Sequence, residues 1–410
     1  MIFALLLLSL PAFADRGVPL ANSTHALLPN GLTLEVKDGR LWVVRQGLRA
    51  EVPPEGDAPG FKSPLKALAQ ITATEDKRLL TVKVTDDCGT EAELRLVMSS
   101  LWARSENAFG LDALARKDYA SAASFFARAL TTDPGLDEAA ANSAAALALS
   151  GKTAEALEAL DGLLGRQPAK TYLKCLTDPD LAPLLNGPRL VNLRSATPGT
   201  AQLKLNDMLK GSQEFEPGKL AAYESVRRIV AAVVKTVVYP GPDEEDGKFH
   251  WRSSFVMIDA KTGETLLRLP LVLEDETAGG DSLLHPKPVL ASKAKAVAQR
   301  VELANRALSD LGLVAPEQIK AILESAKDTP PGTMPFSFPG TTLRLTVASA
   351  GAAELKDVAS IRDPAQMPGP ENAQWAEWLP AAGMAVFQWG QYPGAGCLKN
   401  IYDGVSVLRP

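Results

Sequence analysis

The side chains best suited to chemistry are scattered along this chain. Histidine occurs three times, at His25, His250 and His285. None stands near another, and neither H-x-x-x-H nor H-E-x-x-H occurs, so the sequence offers no ready metal pair. A G-x-S-x-G nucleophile turn is also missing. Ala146 to Thr153 (ALALSGKT) comes within one residue of a phosphate-binding loop, with Ala146 in place of its first glycine. Such a loop must follow a strand, whereas this one lies in a helical pattern. Asp243, Glu244, Glu245 and Asp246 form an acidic run between Pro242 and Gly247. Calcium loops alternate their ligands, so this run reads as a solvated hairpin tip, as does Asp86-Asp87. Trp375, Trp378, Trp389 and Tyr392 could form a sugar or peptide platform, but core packing is the commoner use of such residues. No catalytic, cofactor-binding or metal-binding residue is assigned, and the chain reads as a non-enzyme. The rival reading is an envelope hydrolase or carbohydrate-binding protein with its site in residues 189–410.

The cysteines are Cys88, Cys175 and Cys397. Cys175 follows an apolar helical pattern (Tyr172, Leu173, Leu176) and reads as a buried free thiol. Cys88 and Cys397 both sit in glycine-containing turns. A Cys88–Cys397 disulfide is the pairing these positions allow in an oxidising compartment. Such a compartment is suggested by Met1 to Ala14 (MIFALLLLSLPAFA), which reads as a signal peptide ending in an A-x-A cleavage pattern. A span of the bilayer would need about 20 apolar residues, more than this run supplies. The expected location is periplasmic or secreted, with no integral membrane segment after signal removal.

The chain has 410 residues, 46% of them hydrophobic and 22% charged, with a net charge of −5. This is the balance of a globular protein of more than one domain. Basic runs are lacking, which argues against nucleic acid as a partner. No small-molecule ligand or cofactor is indicated.

Four regions follow from the patterning. Residues 1–14 are the signal peptide. Residues 15–100 form a small β-rich module. In it Gly31–Val36 and Leu41–Arg45 flank a turn with Asp38-Gly39, the strongest short hairpin signal. A second unit comprises Ile71–Thr74, Leu79–Thr85 and Glu91–Met98, and a Pro/Gly-rich loop spans Val52–Pro64. At Leu101 the apolar period changes from two to about 3.6, and helices run on to residue 188. Residues 189–410 show an α+β pattern with an antiparallel sheet. Strands are expected at Phe249–Asp259, Glu264–Leu273, Leu343–Ala348, Met384–Trp389 and Val405–Leu408. Ser292–Leu311 is a helix with Gly312 at its C-terminal cap. Tyr223, Val226, Val230 and Val233 also fit helical spacing, although Val237-Val238-Tyr239 is β-prone.

Residues Ala103 to Pro168 repeat themselves. Pro134 and Pro168 stand 34 residues apart, as do Ala122 and Ala156, Leu130 and Leu164, and Lys117 and Gly151. Gly110, Ala122, Ala144 and Ala156 are small where two helices cross. Phe109, Phe126, Leu130, Leu147 and Leu160 are large enough to fill the gaps. Each proline stops a helix because it lacks the N–H that the next turn needs. The first unit resembles the tetratricopeptide repeat family at Phe109-Gly110, Tyr119, Ala122, Phe126, Ala129-Leu130 and Pro134. The second resembles it at Ala144, Gly151, Ala156, Leu163-Leu164 and Pro168. Ala169–Leu185 reads as the cap, and its DPDLAPLLNGPRL phrase is similar to the ends of bacterial repeat proteins.

The resemblance implies helical hairpins whose inner face holds another protein or peptide. Arg104, Asn107, Leu111, Glu138 and Asn142 are the candidate groove residues. Family members that grip a C-terminal carboxylate use Asn and Lys there. Asn142 fits, but Asn107 and Leu111 do not supply the expected pair. Packing of this face on the chain's own β modules is the competing expectation, which would make the protein a structural spacer.

Overall fold

The computed structural model describes residues 18–28, 30–53, 65–74, 76–86, 91–210, 221–238, 250–279, 287–315, 319–325, 343–349, 352–357, 373–379, 384–391 and 402–408. These residues form two compact units, one up to Leu163 and one from Leu164 onward. The architecture is mixed α+β, with antiparallel sheets in both units and helical hairpins between them in sequence.

In the first unit β2 (His25–Leu27), β3 (Thr33–Lys37), β4 (Arg40–Arg45) and β5 (Leu48–Glu51) form a four-stranded meander. The β3–β4 turn places Asp38 and Gly39 at φ 52° and 75°. Two consecutive left-handed residues match the twist of a tight hairpin, so the Asp-Gly pair sets the register. In that register Leu34 opposes Val43 and Val36 opposes Leu41, and all four are buried. The second sheet orders β1 (Val18–Ser23), β6 (Leu65–Ala73), β7 (Leu79–Asp86) and β8 (Glu91–Val97). Both sheets contribute to one apolar core, with Leu34, Val36 and Val43 from the first and Leu68, Leu80 and Val82 from the second.

Helix α1 (Met98–Ala115) follows β8 without a linker, so the helix starts three residues before the period change at Leu101. Its Leu101 completes the β core, with Met98 and Trp102 packed against it. Helices α2 (Tyr119–Thr132), α3 (Asp137–Leu149) and α4 (Thr153–Arg166) follow.

In the second unit α5 (Pro168–Thr177) begins on Pro168 at its first turn. Proline suits that position because its missing N–H would have no helical partner there. A 3-10 turn (Ala182–Asn186) and the short helices α6 (Pro188–Val191) and α7 (Leu205–Leu209) complete this stretch. Strands β9 (Ala221–Glu224), β10 (Ile229–Val238), β11 (His250–Asp259) and β12 (Thr265–Val272) form an antiparallel sheet. The helical alternative for Tyr223 to Val233 is therefore overturned. Tyr223 and Val230 are cross-strand partners, and a tight turn separates their strands. Spacings of three and four residues mimicked a helix only because that turn interrupts the alternation.

Helix α8 (Ala294–Asp310) buries Val297, Val301, Ala304, Ala307 and Leu308, and Gly312 follows it at φ 76°. A six-stranded sheet orders β15 (Ala352–Asp357), β14 (Leu343–Ser349), β13 (Ile319–Ser325), β16 (Ala373–Leu379), β17 (Met384–Gln391) and β18 (Tyr402–Leu408). Leu379, Met384 and Val386 of this sheet share a core with Tyr223, Val230 and Ala232 of the other.

Helix α5 is tied into the second unit by a partly buried polar contact. The Tyr172 hydroxyl donates to Asp310 Oδ2 at 2.5 Å, and Arg306 Nε lies 3.4 Å from the same oxygen. Burial, then this hydrogen bond, pushes the Tyr172 phenol up to about 12. Burial also pushes the Cys175 thiol up to about 12. Cys175 is a free, buried cysteine, as its apolar neighbours predict. Elsewhere in the unit Glu276 is buried. It accepts from the Leu273 N–H at 2.9 Å and pairs with Arg300, whose Nε bonds the Leu271 carbonyl at 3.1 Å. With every member partnered, the cluster pins the segment after β12 to α8.

A candidate protein-interaction face on helices α1 and α3

The hairpin of α1 and α2 closes at one point of close approach. A Cβ on Gly110 would lie 2.3 Å from Phe126 Cε1 and 2.6 Å from Cδ1. Carbon atoms pack best at about 3.5–4.0 Å, so only glycine lets this ring sit against the α1 backbone. Phe126 is fully buried, as is its counterpart one period later, Leu160. Ala122 and Ala156 are likewise fully buried.

The turns obey the same period. Lys117 has φ 62° and Gly151 has φ 82°. After α1, Lys117 N–H bonds Leu114 O at 2.8 Å and Asp118 N–H bonds Ala113 O at 2.9 Å. After α3, Gly151 N–H bonds Ala148 O at 3.0 Å and Lys152 N–H bonds Leu147 O at 2.9 Å. Both helices therefore end in the same left-handed cap, which satisfies carbonyls that the helix leaves open. Asp118 then caps α2 by accepting the Ser121 N–H at 3.1 Å. Hydrogen bonds from Ser121 hold this carboxyl below the usual range.

Helices α1 and α3 meet through residues about one repeat apart. Ser100 Oγ donates to Asp133 Oδ2 at 2.6 Å, just ahead of α3. Arg104 Nη1 donates to Glu138 Oε2 at 3.3 Å, and Asn142 Nδ2 donates to Asn107 Oδ1 at 3.0 Å. Apolar contact of Ala103 with Ala129, Leu136 and Ala139 lies behind this polar ladder. Four of the five candidate groove residues are thus joined in two pairs. The fifth, Leu111, is 44% exposed. It shares a face with Arg104 and Asn107, since seven and four residues return to one side of a helix. By the same spacing Leu149 shares the face of Asn142, and it is 38% exposed. Arg104 and Asn107 are buried, Asn142 is half-buried and Glu138 is exposed. The open part of the face is therefore Leu111, Glu138, Asn142 and Leu149. Leu149 was missed from the sequence, although its spacing from Asn142 is a signal that could have found it.

The other side of α1 holds a cluster that sequence reasoning did not find. Glu106 is buried, and its carboxylate accepts Arg45 Nη1 at 2.6 Å and Arg128 Nε at 2.9 Å. Arg45, from β4, lies 4.3 Å over the Trp102 ring and 5.0 Å over Phe109. Phe109 stacks on Phe125 at 5.5 Å, and Arg128 lies 4.2 Å over Phe125. One buried carboxylate thus holds a strand and two helices together, with each guanidinium resting on aromatic faces. Its key partners are 61 and 22 residues away, beyond any local pattern.

Side chains considered for catalysis are placed as follows. His25 is exposed on β2, and His250 Nδ1 lies 3.2 Å from Thr277 Oγ1. ALALSGKT forms the end of α3, its cap and the start of α4, with Lys152 Nζ bonded to Glu155 at 3.1 Å. Trp375 and Trp378 lie on β16 and Trp389 on β17. Asp86 ends β7. His285, Asp243 to Asp246, Asp87, Tyr392, Cys88 and Cys397, with the Cys88–Cys397 pairing, lie outside the described residues, as does Met1 to Ala14. Among the described residues no group of three or more His, Cys, Asp or Glu is placed to hold a metal. No helix of the described residues is long and apolar enough to cross a membrane.

Comparison with curated proteins found no match, and comparison with solved structures found none. Residues 113–174 match the tetratricopeptide repeat family. With its helical hairpins, left-handed turns and contacts between residues one period apart, this part of the chain is a tetratricopeptide repeat segment, a module that mediates protein interactions.

Proposed function

We propose that the chain is an exported, non-enzymatic scaffold that binds another protein through the open part of the α1–α3 face. The observation that carries this reading is the exposure of Leu111 and Leu149 on the inner side of the repeat pair, beside a floor of paired polar groups. Exposed apolar side chains rimmed by polar groups are the pattern that marks a protein-interaction site. Export rests on the apolar run of Met1 to Ala14 and its A-x-A end, and puts the protein in the periplasm or outside a bacterial cell.

A photo-crosslinking residue placed at 111 or 149 in the source cell tests the binding reading. The expected result is a protein adduct from both positions and none from 226, where Val226 is 86% exposed in the second unit. Equal adducts from all three positions, or none from 111 and 149, would defeat it. N-terminal sequencing of the mature protein tests export, with Asp15 expected first and an intact Met1 opposing it.

A spacer without a partner is the second reading. It is favoured by how the helices are built into their units, with Leu101 in the β core of the first and Tyr172 of α5 bound to Asp310 of α8 in the second. The same crosslinking separates the two, since a spacer gives no adduct from the leucine positions.

A further inference from the structure

Helices α1 and α3 present few charges on their shared inner face, and those few are unequally accessible. The positions on that face are Ser100, Arg104, Asn107 and Leu111 on α1, and Glu138, Asn142, Ala145 and Leu149 on α3. Their one cation is Arg104, whose side chain is 10% exposed. Its partner Glu138 is 61% exposed. The guanidinium therefore lies behind, and the carboxylate is what the ion pair shows to solvent. A carboxylate with one side in water keeps acceptor sites for a second donor. Two exposed leucines lie further along the same face.

We propose that this face selects a segment of a partner protein carrying apolar residues beside a lysine or arginine, with the basic group paired to Glu138. The inference rests on the binding role proposed above and adds the chemistry of the ligand. Complementarity of charge is the warrant. An acidic ligand or a chain-terminal carboxylate would meet Glu138 head on, and like charges at a contact discriminate strongly against a partner. The apolar residues cover Leu111 and Leu149, and the basic group sets the register.

The test uses the full-length protein and a random peptide display library. Peptides that bind are sorted by whether Leu111→Glu abolishes binding. The expected groove-bound set is enriched in Lys or Arg beside apolar residues. A synthetic peptide from that set should bind at least tenfold more weakly to Glu138→Lys, and several-fold more weakly to Glu138→Gln. Its affinity for the unmodified protein should fall as salt rises, because an exposed pair is screened. Groove-bound peptides with no basic preference, or with acidic ends, would overturn this inference and leave the binding role standing. Failure of Leu111→Glu to affect any peptide would overturn both.

Discussion

Replacing Gly110 by alanine tests whether the α1–α2 hairpin is held by the contact described. In an open helix the change would stabilise by about 1 kcal/mol, because glycine is the costlier residue. Here the new methyl would lie 2.3 Å from a ring carbon of fully buried Phe126, more than 1 Å too close. Phe126 is fully buried, so the ring cannot swing out into solvent. Overpacking of this kind costs roughly 1–3 kcal/mol and here outweighs the propensity gain. Gly110→Ala should therefore destabilise by up to about 2 kcal/mol. Phe126→Ala alone should cost about 3–5 kcal/mol through the cavity it leaves. In the double variant the methyl enters the vacated space, so Gly110→Ala should become stabilising by about 1 kcal/mol. The cycle then shows a coupling of about 1–3 kcal/mol, above the few tenths expected of independent sites. Hydrogen exchange on peptides covering α1 and α2 reads this locally, without requiring the whole chain to unfold in one step. Additive effects, or a stabilising Gly110→Ala in the parent, would refute the packing argument.

Other perturbations probe other joints. Lys117→Gly should raise stability by about 0.5–1 kcal/mol, because Lys117 occupies a left-handed conformation that its counterpart Gly151 adopts without strain; a lower urea midpoint would contradict this. Glu106→Gln should cost about 2–3 kcal/mol, less than the roughly 3–5 for a fully buried pair, since Arg128 is 52% exposed; an unchanged exchange rate in α1 would contradict it. Tyr172 must be neutral to donate to Asp310, and its raised value of about 12 means its contribution is intact below about pH 10. Between there and about pH 12 the unfolded chain ionises first, so the parent should lose about 2–3 kcal/mol that Tyr172→Phe does not lose; parallel alkaline profiles would refute it. In a Cys88→Ser/Cys397→Ser variant, buried Cys175 should resist a thiol reagent at pH 8 until denaturant is added; rapid labelling of the folded protein would count against it.

Much of the helical segment was legible because its signals are local and repeat. The helix start at Pro168 and the turns at Lys117 and Gly151 each have a cause within one turn of chain, and the small Ala122 and Ala156 are legible because they recur at the repeat period. The Asp38-Gly39 hairpin is legible for the same reason, as two left-handed residues leave one register. The β9–β10 hairpin was ambiguous because Tyr223, Val226, Val230 and Val233 satisfy a helical period while the chain turns between them. Strands β13, β15 and β16 went unnoticed, as did the early start of α1 at Met98. On the candidate face, the family resemblance pointed to Arg104, Asn107, Leu111, Glu138 and Asn142 as inner-face positions, and residues about one period apart among them meet in pairs. It could not show which member of each pair reaches solvent. The Arg45–Glu106–Arg128 cluster joins a strand to two helices, and nothing near Glu106 in sequence announces a partner 61 residues away.

The binding role is tested most directly by the dissociation constant of the crosslinked partner for the parent protein and for a Leu111→Glu/Leu149→Glu variant. Leu111 and Leu149 are 44% and 38% exposed, so the variant should keep its fold at a cost of about 1–2 kcal/mol. Its dissociation constant should rise at least tenfold, about 1.4 kcal/mol or more, as for a contact with apolar anchors. An unchanged constant, with the fold intact, would contradict the assignment of this face.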